Sequence, residues 1–192
     1  MNTFKITGNS VALDADGYAN NVTASSGVAF TLITDETTDG LAHKIIITPS
    51  GSVTGNYAIT GNDANGSPIS ETLATNTTNA VTSVNHYLDT IVVKAPSGLG
   101  AETVDIGWAA ASVSPWEFLN EVWGPLGMGF ACVKDSGSPT YTAQQQYGDG
   151  TAFDHATVSG ETTSQEGTYT TPVRAVRLSW AAAGEVSMYG LY

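Results

Sequence analysis

Asp154 and His155 stand side by side in a polar run, and an acid beside an imidazole is the pairing with which hydrolases orient a catalytic base. Neighbours in a loop do not generally orient one another, however. No Gly-x-Ser-x-Gly elbow, phosphate loop, His-Glu-x-x-His or Cys/His metal set accompanies them. His43 and His86 lie far off inside other patterns, so the three single histidines read as structural. The 18 Asp and Glu offer carboxylates for glycoside chemistry, but no spacing sets two of them opposite each other. Asp14-Ala15-Asp16-Gly17 opens like a calcium loop. Ser25 stands where such a loop needs a bidentate Glu, which favours an Asp-Gly turn. Cys132 is single and sits in the apolar run Gly129-Phe130-Ala131-Cys132-Val133, where a buried core thiol is expected and an internal disulfide is impossible. No catalytic residue, metal ligand or cofactor site is assigned, and a non-enzymatic protein is expected.

The residue types better suited to binding are Trp116, Phe118 and Trp123, together with Arg174 and Arg177, the only arginines in the chain. Large aromatics and arginine dominate interface energetics, so these five are the candidate partner-interface residues. Plainer readings are that the aromatics plug a junction between two β-domains and that the arginines pair with local carboxylates. Tyr18, Tyr141, Tyr147 and Trp116 would serve a carbohydrate-binding module if exposed.

The elements that must position these residues are mostly strands. Thr3–Thr7 alternates, Ser10–Leu13 follows a Gly8-Asn9 turn, and 28–33 is apolar on both sides, as in a central strand. Ala42–Thr48 returns as its partner. Tyr57–Thr60 and Ile69–Leu73 flank an Asn65-Gly66 pair and predict a hairpin. Tyr87–Val93 and Glu102–Trp108 follow, the latter with Val104, Ile106 and Trp108 on one face. Ser114-Pro115-Trp116-Glu117 has the spacing of a capping box with proline at the first helical position, which predicts a short helix ending at Gly124-Pro125. Beyond it, Phe130–Val133 and Tyr141–Tyr147 flank a Gly137-Ser138-Pro139 turn. A long polar loop spans 148–168, and the strands Val173–Trp180 and Val186–Tyr192 close the chain. The spacing predicts an all-β protein of two sandwich- or barrel-like modules, 1–111 and 128–192, joined at 112–127 by a short helical or extended linker.

Composition narrows the partners. The chain has 192 residues, 41% hydrophobic, enough for one large β-domain or two small ones. Charged residues are only 12%, against roughly a quarter in an average soluble domain, and the balance is −12. Six Lys and Arg, with the lysines scattered, supply no footprint to displace counterions from phosphates, so no nucleic-acid role is expected. No window approaches the roughly 20 apolar residues of a membrane-spanning helix, and residues 1–10 lack the features of a secretory leader.

The segments "TGNDANGSPISETL", "SVNHYLDTIVV" and "AETVDIGWA" resemble a β-module of tailed-bacteriophage virion proteins. The stretch from Tyr141 to Tyr192, with its Pro172-Val173-Arg174-Ala175 strand, resembles the closing segment of small phage structural proteins. Together these cover about two thirds of the chain and are patterns of turns and alternation. The resemblance implies a virion structural protein of the capsid decoration, or cement, type on the outside of the head. It also implies the major capsid protein and neighbouring copies as partners, a homotrimer, and no nucleic acid or membrane. A head-fibre, tail or adaptor component and a carbohydrate-binding or adhesion module are the alternatives; the lack of heptads or a fixed period disfavours a fibre.

Overall fold

Alternation of apolar and polar residues marks many of the strands, β1, β3 and β4 most clearly, and the computed structural model, which describes residues 3–119 and 128–191, contains thirteen strands and no helix among them. It is all-β, and it divides into two compact units. One comprises Met1–Val11 with Ala111–Tyr192, the other Ala12–Ala110. The chain therefore passes between them twice, and the expected module 1–111 is divided differently. Its first strand, β1 (Thr3–Ser10), is claimed by the C-terminal unit, where it pairs along its whole length with the last strand.

In the unit 12–110, β2 (Asp14–Val22) pairs with β8 (Val104–Val113), and β3 (Ala42–Pro49) pairs with β6 (Val81–Tyr87). A second sheet has the order β5 (Pro68–Ala74), β4 (Asn56–Asn62), β7 (Asp89–Lys94). The expected hairpin is β4–β5. Asp63 Oδ1 accepts the N–H groups of Asn65 and Ser67 at 2.8 and 2.9 Å, and Gly66 adopts the positive φ of 77° that the turn requires. The buried faces of both sheets, with Ile45, Ile47, Tyr57, Ile59, Ile91, Val93 and Ile106, form the core of this unit. Glu71 of β5 clamps the sheets together by accepting the N–H groups of Val84 and Asn85 at 2.8 and 3.0 Å, inside a bulge of β6.

Two expectations change here. Asp14–Gly17 is not an isolated turn; it begins β2, and its glycine is needed because the Trp108 ring lies where a Cβ would stand. The stretch 28–33 is not a central strand. It touches β7 through an isolated bridge at Ala29 and the bond from Phe30 N–H to Val93 O, turning Phe30 inward and leaving Ile33 80% exposed. An apolar run without a continuous ladder cannot bury both faces.

The other unit is organised by two long antiparallel strands, β10 (Met128–Gln146) and β13 (Ala175–Leu191). Gly137-Ser138-Pro139 does not end a strand. It bends β10 within a bulged stretch opposite Gly184, so that one long pair serves as two shorter ones. Near Met128 and Leu191 the order is β1, β13, β10, β12 (Gln165–Tyr169). Near Gln146 and Ala175 it is β9 (Glu117–Phe118), β13, β10, β11 (Ala152–Asp154). The predicted polar loop thus contributes two edge strands, which polar residues can form because only one face needs covering. Trp180, Leu178, Tyr141 and Cys132 are fully buried in this unit.

Candidate partner-binding surface

Ser114 decides the placement of the aromatics. Its N–H donates to Leu178 O at 3.0 Å and its Oγ accepts the Leu178 N–H at 3.1 Å, so its side chain serves β13 and caps no helix. Over 114–119 the linker takes the extended form of the two expected and not the helical one, since Glu117 and Phe118 pair with Val176 and Ala175 as strand; the rest of the predicted helix lies outside the described residues. Leu119 N–H continues the run to Arg174 O at 3.0 Å. Before Ser114, Val113 and Ser112 face Ser179 and Trp180. The register between these two sets slips by one residue, so Pro115 and Trp116 together stand opposite Arg177. Proline has no N–H to lose, which suits it to such a bulge on the margin of a sheet. The bulge aims the Trp116 ring at the Arg177 guanidinium, 4.3 Å from the ring centroid.

A polar row extends from that contact across three strands. Arg177 Nε donates to Gln144 Oε1 at 2.8 Å, and Gln144 Nε2 donates to Asp154 Oδ1 at 2.8 Å; both pairs are in register. In the adjacent row Phe118, Ala175, Gln146 and Ala152 lie opposite one another. Arg174 stands 5.7 Å over the Phe118 ring, and its Nη1 donates to Gly148 O at 3.4 Å. Phe118 is nevertheless 54% exposed. Each cation–π contact contributes about 0.5–1 kcal/mol at an exposed site, enough to hold the side chains in place without hiding them.

Four of the five candidate interface residues, Trp116, Phe118, Arg174 and Arg177, therefore meet on one sheet face. Trp123 lies outside the described residues. Of the two residues that complete the row, Gln144 carries no sequence signal beyond alternation in Tyr141–Tyr147, and Asp154 stands out in sequence only as a neighbour of His155; only the register with β11 and β13 selects them for this row.

The other residues with chemical promise take structural places. His155 is buried between Phe130 and Tyr169, each ring centroid 5.0 Å away, and does not orient towards Asp154, which bonds Gln144 instead. His43 is fully buried; its Nδ1–H donates to Ala109 O at 2.8 Å, and Nε2 meets Asp39 Oδ2 at 2.8 Å. Cys132 is buried, and desolvation pushes its thiol up to about 12. Tyr18 and Tyr141 are buried as well, which removes them as sugar platforms. Among the described residues no group of three or more His, Cys, Asp or Glu side chains could hold a metal ion.

Comparison of the chain with protein-family models, curated proteins and solved structures finds no match.

Proposed function

We propose that this protein is a virion structural component of the capsid decoration type, acting by binding and not by catalysis. In this reading it attaches to the outer head surface of a tailed phage, contacts the major capsid protein, and stabilises the lattice because it binds only the assembled form. The observation that carries the proposal is the half-exposed Phe118 with Arg174 over it, beside the Trp116–Arg177 stack. An aromatic and arginine anchor already ordered before binding is what interface hot spots are made of. The segment resemblance supplies the virion context, and the −12 charge suits a basic partner surface.

The test is co-sedimentation with undecorated heads, comparing the unchanged chain with Phe118→Ala and Arg177→Ala. Binding that raises the heads' resistance to heat, and that weakens by about tenfold in either variant, is expected. Failure to bind heads while binding tails would move the protein to the fibre, tail or adaptor class.

Trp116 beside the Arg177–Gln144–Asp154 row favours one second reading, a carbohydrate-binding module, because a ring face flanked by planar hydrogen-bonding groups suits a sugar. Retention on a polysaccharide column, lost in Trp116→Ala, would select it.

A further inference from the structure

On the opposite half of the β10–β13 pair, Lys5, Tyr189, Ala131 and Glu166 form a single register row across β1, β13, β10 and β12. Residues paired in this way point to the same face. Two residues along, Leu191 stands opposite Gly129. At these two rows β13 carries large apolar side chains while β10 carries only Ala131 and Gly129, which leaves a groove of about 510 Å³ over them; one row further along, the order reverses, with Val133 on β10 opposite Ser187. Tyr189 and Leu191 are 42% and 48% exposed beside it. The reverse face is closed, because the Phe4 ring lies over Gly190 and the Phe130 ring over Gly167.

We propose that this face binds a second copy of the same chain about a two-fold axis, with the axis running along the strands midway between two stacked sheets. The pattern is self-complementary under that rotation. Exchanging β13 with β10 lowers Tyr189 of one copy onto Ala131 of the other and Leu191 onto Gly129, so each knob enters the groove of its mate. The same rotation exchanges the margins. Lys5 on β1 and Glu166 on β12 are three strands apart, about 14 Å at roughly 4.8 Å per strand, and each Lys5 comes to face Glu166 of the other copy. In the single chain the Lys5 ammonium rests 5.3 Å from the Tyr189 ring centroid, already at the edge of the contact. A small apolar centre with one cation and one anion on opposite margins matches its own rotated image. This contact does not depend on whether the protein decorates a capsid.

The experiment is sedimentation equilibrium on the purified full chain, without heads, so that its outcome is separate from the head-binding test. Four variants accompany it: Lys5→Glu, Glu166→Lys, the two combined, and Gly129→Leu. A Cβ at Gly129 would meet nothing within 4 Å, so that substitution leaves the single chain intact while filling the groove. Dimeric mass is expected for the unchanged chain and for the combined swap. Each single swap should weaken the dimer by about tenfold or more, since like charges then face each other twice, and Gly129→Leu should abolish it, all with unchanged circular dichroism. A monomeric or trimeric mass for the unchanged chain, a dimer indifferent to Gly129→Leu, or a combined swap that fails to restore association would each overturn the proposal.

Discussion

Trp116 owes its position to a proline. Because Pro115 can donate no hydrogen bond, the chain gives up one rung against β13 there, and the ring that follows is turned onto Arg177. The same residue invites the helical reading of Ser114–Glu117, since proline at a first helical turn and at a strand bulge looks identical in one dimension. A different local conflict sits at Thr90, a β-branched residue held at a φ of 51°. Its side chain is exposed, so Thr90→Asn should relieve strain without losing contacts and raise stability by about 1 kcal/mol, read from the denaturation midpoint; an unchanged midpoint would mean that no strain is stored there. Buried acids give a third expectation. Desolvation lifts Cys132 from 9.0 and Tyr57 and Tyr87 from 10.0, each to about 12. The unfolded chain releases these protons first, so the stability they contribute is complete below pH 9 and is lost as pH rises to about 12. Urea midpoints should fall through that window, and the thiol should react with a thiol reagent at neutral pH only after unfolding.

At the scale of elements, the bend shared by β10 and β13 gives the sheet two working halves. Gly137 and Gly184 face each other at the bend with φ of 74° and 145°, and a Cβ at Gly184 would stand 2.6 Å from Pro139 Cδ. Gly184→Ala combines a disfavoured φ with a clash against a rigid ring, and should cost about 2 kcal/mol or more in thermal or urea unfolding. Tolerance of that change would show that the bend does not depend on glycine. Gly-Ser-Pro chemistry reports that the chain must turn sharply; it does not say whether the strand pairing stops or only bends. That depends on Gly184, which is distant in sequence and supplies the matching gap.

For the molecule as a whole, the dominant quantity is the charge of −12 with few cations to offset it. Repulsion between copies is then strongest at low salt, where the screening length is long, and under the proposed function the attraction to a basic head surface would be strongest there too. Head binding should therefore weaken as salt rises, and self-association through the largely apolar Tyr189–Leu191 face should hold or strengthen. Opposite salt slopes for the two equilibria would separate the two surfaces; matching slopes would argue against assigning them different chemistry.

The all-β class, the β4–β5 hairpin, the inward set Val104, Ile106 and Trp108 and the burial of Cys132 were legible in the residue pattern, because alternation and turn chemistry act between close neighbours. Trp116, Phe118, Arg174 and Arg177 were singled out on residue type alone, which says nothing of their being neighbours. What brought those four together was the pairing of β9 with β13, between residues nearly sixty apart, and no local rule states such a register. The same holds for the capture of β1 by the C-terminal unit, for the polar edge strands β11 and β12, and for the exposure of Val28 and Ile33. Local sequence determined which segments would be extended and which face of each was apolar. Only the tertiary structure decided the partners of those segments, because strand pairing is settled by the non-local burial of whole faces.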